Sequence, residues 1–247
     1  MLTSSLLMKL SVIVPTLNEE RSLPRALASI PRGAEVIVAD GRSVDRTREV
    51  AGQFHARVVV GEPGRGAQSN RGAEHASGEV LLFLHADCVL DRGADEAIAD
   101  ALSDPRVVGG SFRLRIRPTT IGLTLVAFGS NLRARFLKLP YGDQALFVRR
   151  KVFEELGGYR EIPIMEDVDL VRRLKKRGRL RHLDAAVTTT PRHWESLGPL
   201  CTTLLNWMAM VGFTLGAPPY QLASVYHRLR RRPRATTNQD SIVASHD

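Results

Sequence analysis

Four groups of polar residues stand directly after short apolar runs in the first part of the chain. They occupy residues 15–19, 40–45, 64–72 and 85–87, and they include Asp40, Arg65, His85 and Asp87. Carboxylates bind hydroxyl groups and divalent cations, guanidinium groups bind phosphate, and glycines let a backbone approach a ligand closely. Together these residue types suit a ligand that carries hydroxyl groups, a phosphate chain and a metal ion.

Each group has an expected role and a purely structural alternative. Asp40 is expected to accept a hydrogen bond from a base N–H or a ribose hydroxyl, and Arg65 to contact phosphate. Asp87 is expected to hold a divalent cation while diphosphate oxygens complete the coordination shell. The alternatives are a plain turn after Asp40 and a helix cap at Asn18 or Asp45. One group alone does not decide between these interpretations, whereas four in succession favour a ligand site.

Further polar residues of interest lie in the second half of the chain. Asp143 and Gln144 fall between an apolar helix and a strand, which suits either a ligand-binding turn or an ordinary turn. Glu166 and Asp167 begin a predicted helix, where acids also favour the positive N-terminus without any site role. Trp194 suits stacking on a ligand, and an indole is also common in a protein core.

The elements that must position these residues alternate regularly between strand and helix. Apolar runs predict strands over residues 10–15, 35–40, 57–61 and 80–84, and helical periodicity predicts helices over residues 18–30, 47–54 and 68–76. Strands then follow at residues 107–116 and 146–149, with helices at residues 121–139, 151–156, 167–176 and 200–217. Short alternating elements are typical of an α/β fold with a mostly parallel central sheet, which gathers the four polar groups at one edge.

Two common nucleotide sites are excluded by spacing. The glycines at Gly61, Gly64 and Gly66 have the wrong separation for a dinucleotide site and follow the third strand instead of the first. No glycine run ends in Gly-Lys-Ser or Gly-Lys-Thr, so the chain carries no P-loop. The loop after the first strand also lacks the glycine-rich, basic sequence that a nucleotidyltransferase would show there.

Composition indicates the cellular location of the chain and the charge of its partners. The chain has 247 residues, a formal net charge of +9 and an isoelectric point of about 10.2, which favours anionic partners. Two cysteines and the lack of a signal-peptide pattern indicate a reduced, cytoplasmic location. No nucleic-acid partner is expected, since no recognised binding module accompanies the charge.

Ordered along the chain, these motifs resemble family 2 glycosyltransferases. The resemblance rests on Ser-Val-Ile-Val-Pro-Thr-Leu-Asn-Glu-Glu at residues 11–20, Ala-Asp-Gly-Arg-Ser-Val-Asp at residues 39–45 and His-Ala-Asp at residues 85–87. It continues through Tyr-Gly-Asp-Gln at residues 141–144, Met-Glu-Asp at residues 165–167 and Arg-His-Trp at residues 192–194. It is strongest for a small bacterial branch, the selenodomain-associated transferase 2 or arsenosugar-type glycosyltransferases.

The resemblance implies a GT-A (Rossmann-like) fold, a nucleotide-diphosphate sugar donor, a Mn²⁺ or Mg²⁺ cofactor and inverting transfer of a hexosyl unit. Asp167 would be the general base, Asp87 the metal ligand, and Asp143, Gln144, Glu166 and Trp194 the contacts to the sugar or the unidentified hydroxyl acceptor. Contacts to the nucleotide sugar are implied for Pro15, Thr16, Glu19, Asp40, Arg65, His85, Ala86 and Asp87. A UDP-sugar is the default donor. His85 replaces the first Asp of the family's Asp-x-Asp motif, which leaves the choice of metal open.

The resemblance also sets the expected domain organisation. A GT-A domain is expected over residues 9–199, with a nucleotide-sugar half at about 9–104 and an acceptor half at about 105–199. An apolar and basic helical appendage follows at residues 200–233, and residues 234–247 form a polar tail predicted to be disordered.

Three partners or rival functions remain open at this point. Arg228, Arg230 and further arginines beside the apolar appendage suit an anionic membrane surface, such as the inner face of the membrane. A polyprenyl-phosphate acceptor at such a surface is one alternative function. A non-catalytic module that binds a nucleotide sugar is the other, favoured only by His85.

Overall fold

The computed structural model describes residues 8–230, and these form one eight-stranded mixed sheet with helices on both faces. The strands are β1 Leu10–Thr16, β2 Glu35–Asp40, β3 Arg57–Val60, β4 Val80–Phe83, β5 Cys88–Leu90, β6 Val107–Ile116, β7 Leu146–Arg149 and β8 Arg179–Thr189. The helices are α1 Leu23–Ala28, α2 Thr47–Gln53, α3 Arg65–Glu74, α4 Ala94–Leu102, α5 Ile121–Leu132, α6 Arg150–Glu155, α7 Glu166–Leu174, α8 Arg192–Glu195, α9 Pro199–Thr214 and α10 Pro219–Arg230.

The sheet has the strand order β3-β2-β1-β4-β7-β6-β8-β5. The first four strands in this order are parallel, because each is joined to the next in sequence by a crossover helix. Strand β7 runs antiparallel to β4 and β6, and β6 is parallel to β8. The predicted α/β architecture with flanking helices and a C-terminal helical segment is therefore confirmed, with parallel pairings in the majority.

The core lies on both faces of this sheet. Alternate residues of β1 and β4 pack against opposite layers, so that Val12 and Leu82 join one apolar cluster while Ile13 and Leu81 join the other. All four side chains are fully buried. A strand covered on both faces carries a continuous apolar run, which is why β1 and β4 were recognisable from sequence.

Strands β5 and β8 and helices α4 and α8 were not anticipated from sequence. Strand β5 has only three residues, and α4 follows it at the next turn. Strand β8 has eleven residues, but Arg179, Arg181 and Asp184 interrupt its apolar pattern. It nevertheless forms the longest pairing of the sheet by lying parallel to β6. The register of β8 against β6 is set by tertiary contacts, which leave no periodic pattern in the sequence of β8.

Two predicted helices differ in extent from those observed. The first begins at Leu23 instead of residue 18, because Asn18 has a left-handed backbone with φ of 56° and hydrogen bonds with the loop after β2. The helix predicted over residues 121–139 divides into α5 and a π-helical turn, Arg133–Leu137. Within the described residues, no helix is long and apolar enough to cross a membrane. The predicted disordered tail at residues 234–247 lies outside the described residues.

Gly110 allows three strands to pack closely, and its substitution is expected to destabilise the fold. A Cβ atom at this position of β6 would clash with the carbonyl oxygen of Arg181 and the ring of Phe147. Because a backbone oxygen cannot move aside cheaply, we expect Gly110→Ala to lower the free energy of unfolding by about 2–3 kcal/mol in a denaturant titration. The control Gly129→Ala has open space around its Cβ atom and lies in α5, so a gain of about 0.5–1 kcal/mol is expected. Equal effects of the two substitutions would contradict this interpretation.

Candidate active site

A large cleft opens at the edge of the sheet where β1 and β4 end. Its volume is about 770 Å³, within the usual range of small-molecule sites. Eleven of the thirteen predicted site residues line it, namely Pro15, Thr16, Glu19, Arg65, His85, Ala86, Asp87, Asp143, Glu166, Asp167 and Trp194. Asp40 and Gln144 do not reach the cleft surface. The sheet edge thus brings together residues that lie far apart in sequence.

Asp40 lies beneath the cleft as a fully buried carboxylate. One oxygen accepts a hydrogen bond from the Ser43 backbone N–H at 2.9 Å, and the other accepts one from the Thr16 hydroxyl at 3.4 Å. Asp40 therefore holds the loops after β1 and β2 against each other. Thr16 itself lines the cleft, so Asp40 shapes the surface through it.

Gln68 links the same two loops and was not identified from sequence as a site residue. Its side-chain NH₂ donates to the backbone carbonyl oxygens of Thr16 at 2.7 Å and Ala39 at 2.8 Å, and its carbonyl oxygen accepts from the Gly64 N–H at 3.1 Å. The first two contacts satisfy backbone carbonyls at the ends of β1 and β2, and the third ties in the loop after β3. A single amide side chain thereby fixes three of the loops that line the cleft.

His85, Asp87 and Cys88 form the potential metal-binding cluster of the described residues. One donor atom from each lies within 4.8 Å of the others. Burial lowers the pKa of His85 to about 4, with the Arg65 charge acting in the same direction, so the imidazole is neutral at pH 7 and able to ligate. Burial raises the pKa of the Cys88 thiol well above its usual value, so the thiol keeps its proton. Because a thiol is a soft ligand that suits neither Mg²⁺ nor Mn²⁺ well, His85 and Asp87 are the expected ligands of such an ion.

Arg192 connects two of the residues predicted to contact the nucleotide sugar, a role that sequence analysis missed. Its guanidinium group forms two hydrogen bonds with the carboxylate of Glu19, at 2.6 Å and 3.1 Å, and lies 3.6 Å from the carboxylate of Asp87. Arg192 belongs to the Arg-His-Trp motif at the start of α8, and 52% of its side chain is exposed in the cleft. An anionic ligand could therefore contact it directly.

Asp167 lines the cleft from the first turn of α7. One carboxylate oxygen accepts a hydrogen bond from the Gly142 N–H at 2.5 Å. A Cβ atom at Gly142 would lie 2.8 Å from Nε2 of His85 and 3.3 Å from Oδ2 of Asp167. The absence of a side chain at Gly142 therefore permits the imidazole and the carboxylate to approach from either side.

Glu166 is buried beside Asp167 with only weak compensation for its charge. Burial raises the pKa of Glu166 to about 7, and the neighbouring Asp167 carboxylate adds to this effect. The guanidinium of Arg65 is 3.8 Å from the Glu166 carboxylate and opposes the shift. Arg65 thus offsets only part of the cost of burying the Glu166 carboxylate.

Asp143 and Gln144 occupy a 3₁₀-helical turn, and only Asp143 lines the cleft. Burial raises the pKa of Asp143 to about 6, although Arg133 opposes the shift, and its Oδ1 atom has no hydrogen-bond partner. The Gln144 side chain is fully buried and contacts Asn131, Arg133 and the backbone N–H of Tyr141. Gln144 therefore stabilises the turn, while Asp143 faces the cleft.

The remaining wall of the cleft comes from the C-terminal helices. Trp194 lines the cleft with little of its surface, because it is almost fully buried and packs against Leu114, Leu123 and their neighbours. Its indole N–H is buried without a hydrogen-bond partner. Asn206 of α9, and Tyr226, His227 and Arg230 of α10, also line the cleft.

A hydrogen-bond network joins these helices to α8. The Tyr226 hydroxyl donates to Asn206 at 2.7 Å, and the Arg230 guanidinium donates to the His193 carbonyl oxygen at 3.0 Å. The segment predicted as an appendage therefore completes the cleft. Sequence analysis had no signal for this, since these contacts join residues far apart in the chain.

Comparison with known proteins gives the family context of this cleft. The sequence profile described as "Glycosyl transferase family 2" matches residues 11–157, which is more than half of the chain. An uncharacterized glycosyltransferase of Mycobacterium tuberculosis is 40% identical over 84 residues. That match covers 34% of this chain and 38% of the relative, so the two proteins share only a segment.

Solved structures share the fold over most of the chain. A mannosyltransferase of Pyrobaculum calidifontis, in complex with GDP-Man and Mn²⁺, has a TM-score of 0.61 and 20% identity, covering 90% of this chain and 69% of that chain. S. aureus TarS, in complex with UDP-GlcNAc, has a TM-score of 0.58 and 18% identity, covering 89% and 72%. The fold is that of the GT-A glycosyltransferases, as the sequence predicted.

The raised pKa of Glu166 has a measurable consequence for stability. The folded-state pKa is about 7 and the ordinary value is 4.5, so the unfolded chain loses this proton first as the pH rises. The contribution of Glu166 to the free energy of unfolding is therefore complete at acidic pH, and it declines as the pH rises from about 4.5 to about 7. Glu166→Gln removes the ionisable group. The unfolding free energy of this variant, relative to that of the parent chain, is therefore expected to increase by roughly 1–3 kcal/mol from about pH 5 to about pH 8.

Denaturant titrations across that pH range measure the difference between the two chains. Glu161→Gln, exposed on the preceding loop, controls for the loss of a carboxyl group. A difference for Glu166→Gln that stays flat or declines with pH would contradict the buried, protonated state of this residue.

Proposed function

The chain belongs to glycosyl transferase family 2, and we propose that it is a metal-dependent, inverting glycosyltransferase that uses a nucleotide-diphosphate sugar as donor. The observation that carries this proposal is the meeting of His85 and Asp167 across Gly142, with Asp87 on the same cleft wall as His85. A potential metal ligand and a potential base thus face one cleft. The hydroxyl acceptor is unidentified.

The residues present fit a divalent cation. A neutral imidazole and a carboxylate are suitable ligands, and diphosphate oxygens would complete the shell, as is usual for Mg²⁺ and Mn²⁺. Asp87 and His85 would hold the ion, which would offset the negative charge that develops on the leaving diphosphate. The nitrogen ligand favours Mn²⁺ over Mg²⁺, since Mg²⁺ prefers an all-oxygen environment.

The chain's own groups account for the remaining chemistry. Asp167 would accept the proton of the acceptor hydroxyl while that oxygen attacks the anomeric carbon from the face opposite the diphosphate. The bond from the anomeric carbon to the diphosphate oxygen breaks and its electron pair leaves with the nucleotide, which inverts the configuration. Arg65 and Arg192 would balance charge on the diphosphate.

A UDP-sugar carrying a hexosyl unit is the proposed donor. It would lie against the residues of the β1 and β4 loops, in the half formed by residues 9–104, with the acceptor over residues 105–199. GDP remains a candidate nucleotide, because structures of similar fold bind UDP-GlcNAc or GDP-Man. Membership of the selenodomain-associated transferase 2 branch and a cytoplasmic location are parts of the same proposal.

A polyprenyl-phosphate acceptor at a membrane surface is the second candidate function. It is favoured by the exposed apolar side chains of α9 and α10, helices that also line the cleft. The non-catalytic alternative is less well supported, since the base candidate Asp167 and the ligand candidate Asp87 are both in place.

Loss of the proposed base is expected to stop turnover without preventing donor binding. Asp167→Asn keeps the hydrogen bond from Gly142 feasible but removes the proton acceptor, so we expect turnover to fall by about 10²- to 10⁴-fold. Donor affinity should change little. Donor hydrolysis measures turnover while the acceptor is unidentified, and Asp100→Asn on the exposed face of α4 is the control. Near-normal turnover of Asp167→Asn would remove Asp167 from the mechanism.

Loss of the proposed metal ligand is expected to abolish metal-dependent donor binding. Calorimetric titration with UDP, GDP and TDP sugars, each with and without Mn²⁺ or Mg²⁺, identifies the donor. We expect one nucleotide to bind in a metal-dependent manner, and Asp87→Ala to weaken that binding by about tenfold or more. Metal-dependent binding that survives in Asp87→Ala would place the ion elsewhere.

A further inference from the structure

Helix α9 is apolar on two opposite faces. Thr202, Leu205 and Ala209 are buried against the rest of the protein. On the other face the side chains of Leu200, Leu204, Trp207, Met208, Val211 and Leu215 are 44–82% exposed. A helix that is apolar all round normally has an apolar environment all round. Within the described residues, the outer face of α9 has no apolar environment.

Helix α5 repeats the same arrangement beside it. Leu123 and Val126 face the core, whereas Ile121, Leu125, Phe128 and Leu132 recur at helical spacing on the opposite side and are 48–85% exposed. The π-helical turn after α5 adds the exposed Phe136 and Leu137. Because α5 and α9 pack against each other, their outer side chains form a contiguous surface, here named the α5–α9 face.

The segments that form the α5–α9 face carry few acidic residues and several cations. Residues 118–142 and 196–230 include α5, α9 and α10, and their one acidic residue is Asp143's neighbour-free predecessor segment's absence of Asp or Glu.

We propose that the α5–α9 face docks on an anionic phospholipid surface. Phe128, Phe136 and Trp207 enter the interfacial region, while Arg135 and Arg228 approach the lipid phosphates. A second copy of the chain is a poorer occupant, because a self-contact of this face would place the same cations opposite each other. The inference concerns binding alone and does not depend on the proposed transfer reaction.

Vesicle flotation of the full chain tests the docking. The probes are vesicles of phosphatidylcholine alone and of phosphatidylcholine with phosphatidylglycerol, each at low and high ionic strength. The test variant is Phe128→Asp with Leu204→Asp, and the control is Val44→Asp with Val60→Asp. Both pairs replace exposed apolar residues and add the same charge, but Val44 lies in the loop after β2 and Val60 in the edge strand β3. Because all four sites are exposed, thermal unfolding should remain close to that of the parent chain.

The parent chain is expected to bind the phosphatidylglycerol vesicles. This binding should weaken by about tenfold or more in the test variant and much less in the control, since only the test variant loses apolar side chains that enter the lipid. Absence of binding to these vesicles would overturn the proposal, as would equal loss in the two variants. Dissociation of a dimer by the test variant, with no vesicle binding by the parent, would also overturn it and assign the face to self-association.

Discussion

The site depends on the parallel arrangement of β2, β1 and β4. Parallel neighbours end at the same edge, so the loops that follow them share one small region of space. The buried carboxylate of Asp40 and the amide of Gln68 then hold the loops after β1 and β2 together. These polar side chains are buried, where unpaired groups would be costly, so their contacts define one arrangement of the cleft surface.

The cleft concentrates acidic groups in a partly buried space. Asp87, Asp143, Glu166 and Asp167 all line it, and burial raises the pKa of both Asp143 and Glu166. The guanidinium groups of Arg65, Arg133 and Arg192 offset part of this negative charge but do not neutralise all of it. Such a site gains electrostatic stabilisation from an added cation, and its arginines remain available to an anionic ligand. A metal ion together with a diphosphate satisfies both requirements at once.

The part of the cleft formed by the βα loops was predictable because its sequence signals are local. Each βα loop follows directly on an apolar strand, so Pro15, Arg65 and Asp87 could be placed at one edge from the order of elements alone. The burial of Asp40 and Gln144 beneath the surface was not predictable, because accessibility depends on neighbouring layers. Nor was the C-terminal wall, since Asn206 and Tyr226 reach the cleft through contacts between distant segments. Strand β8 escaped recognition because its charged residues conceal a pairing imposed by β6.

The most direct test of this account is the position of a bound ion. A crystal structure of the chain with Mn²⁺ and UDP, with anomalous diffraction measured at the manganese edge, locates the metal independently of the nucleotide. The account predicts one anomalous peak at about 2.0–2.3 Å from the Asp87 carboxylate, bridged to the diphosphate and with His85 beside it. A nucleotide bound in the cleft with manganese absent from Asp87 would contradict the central claim.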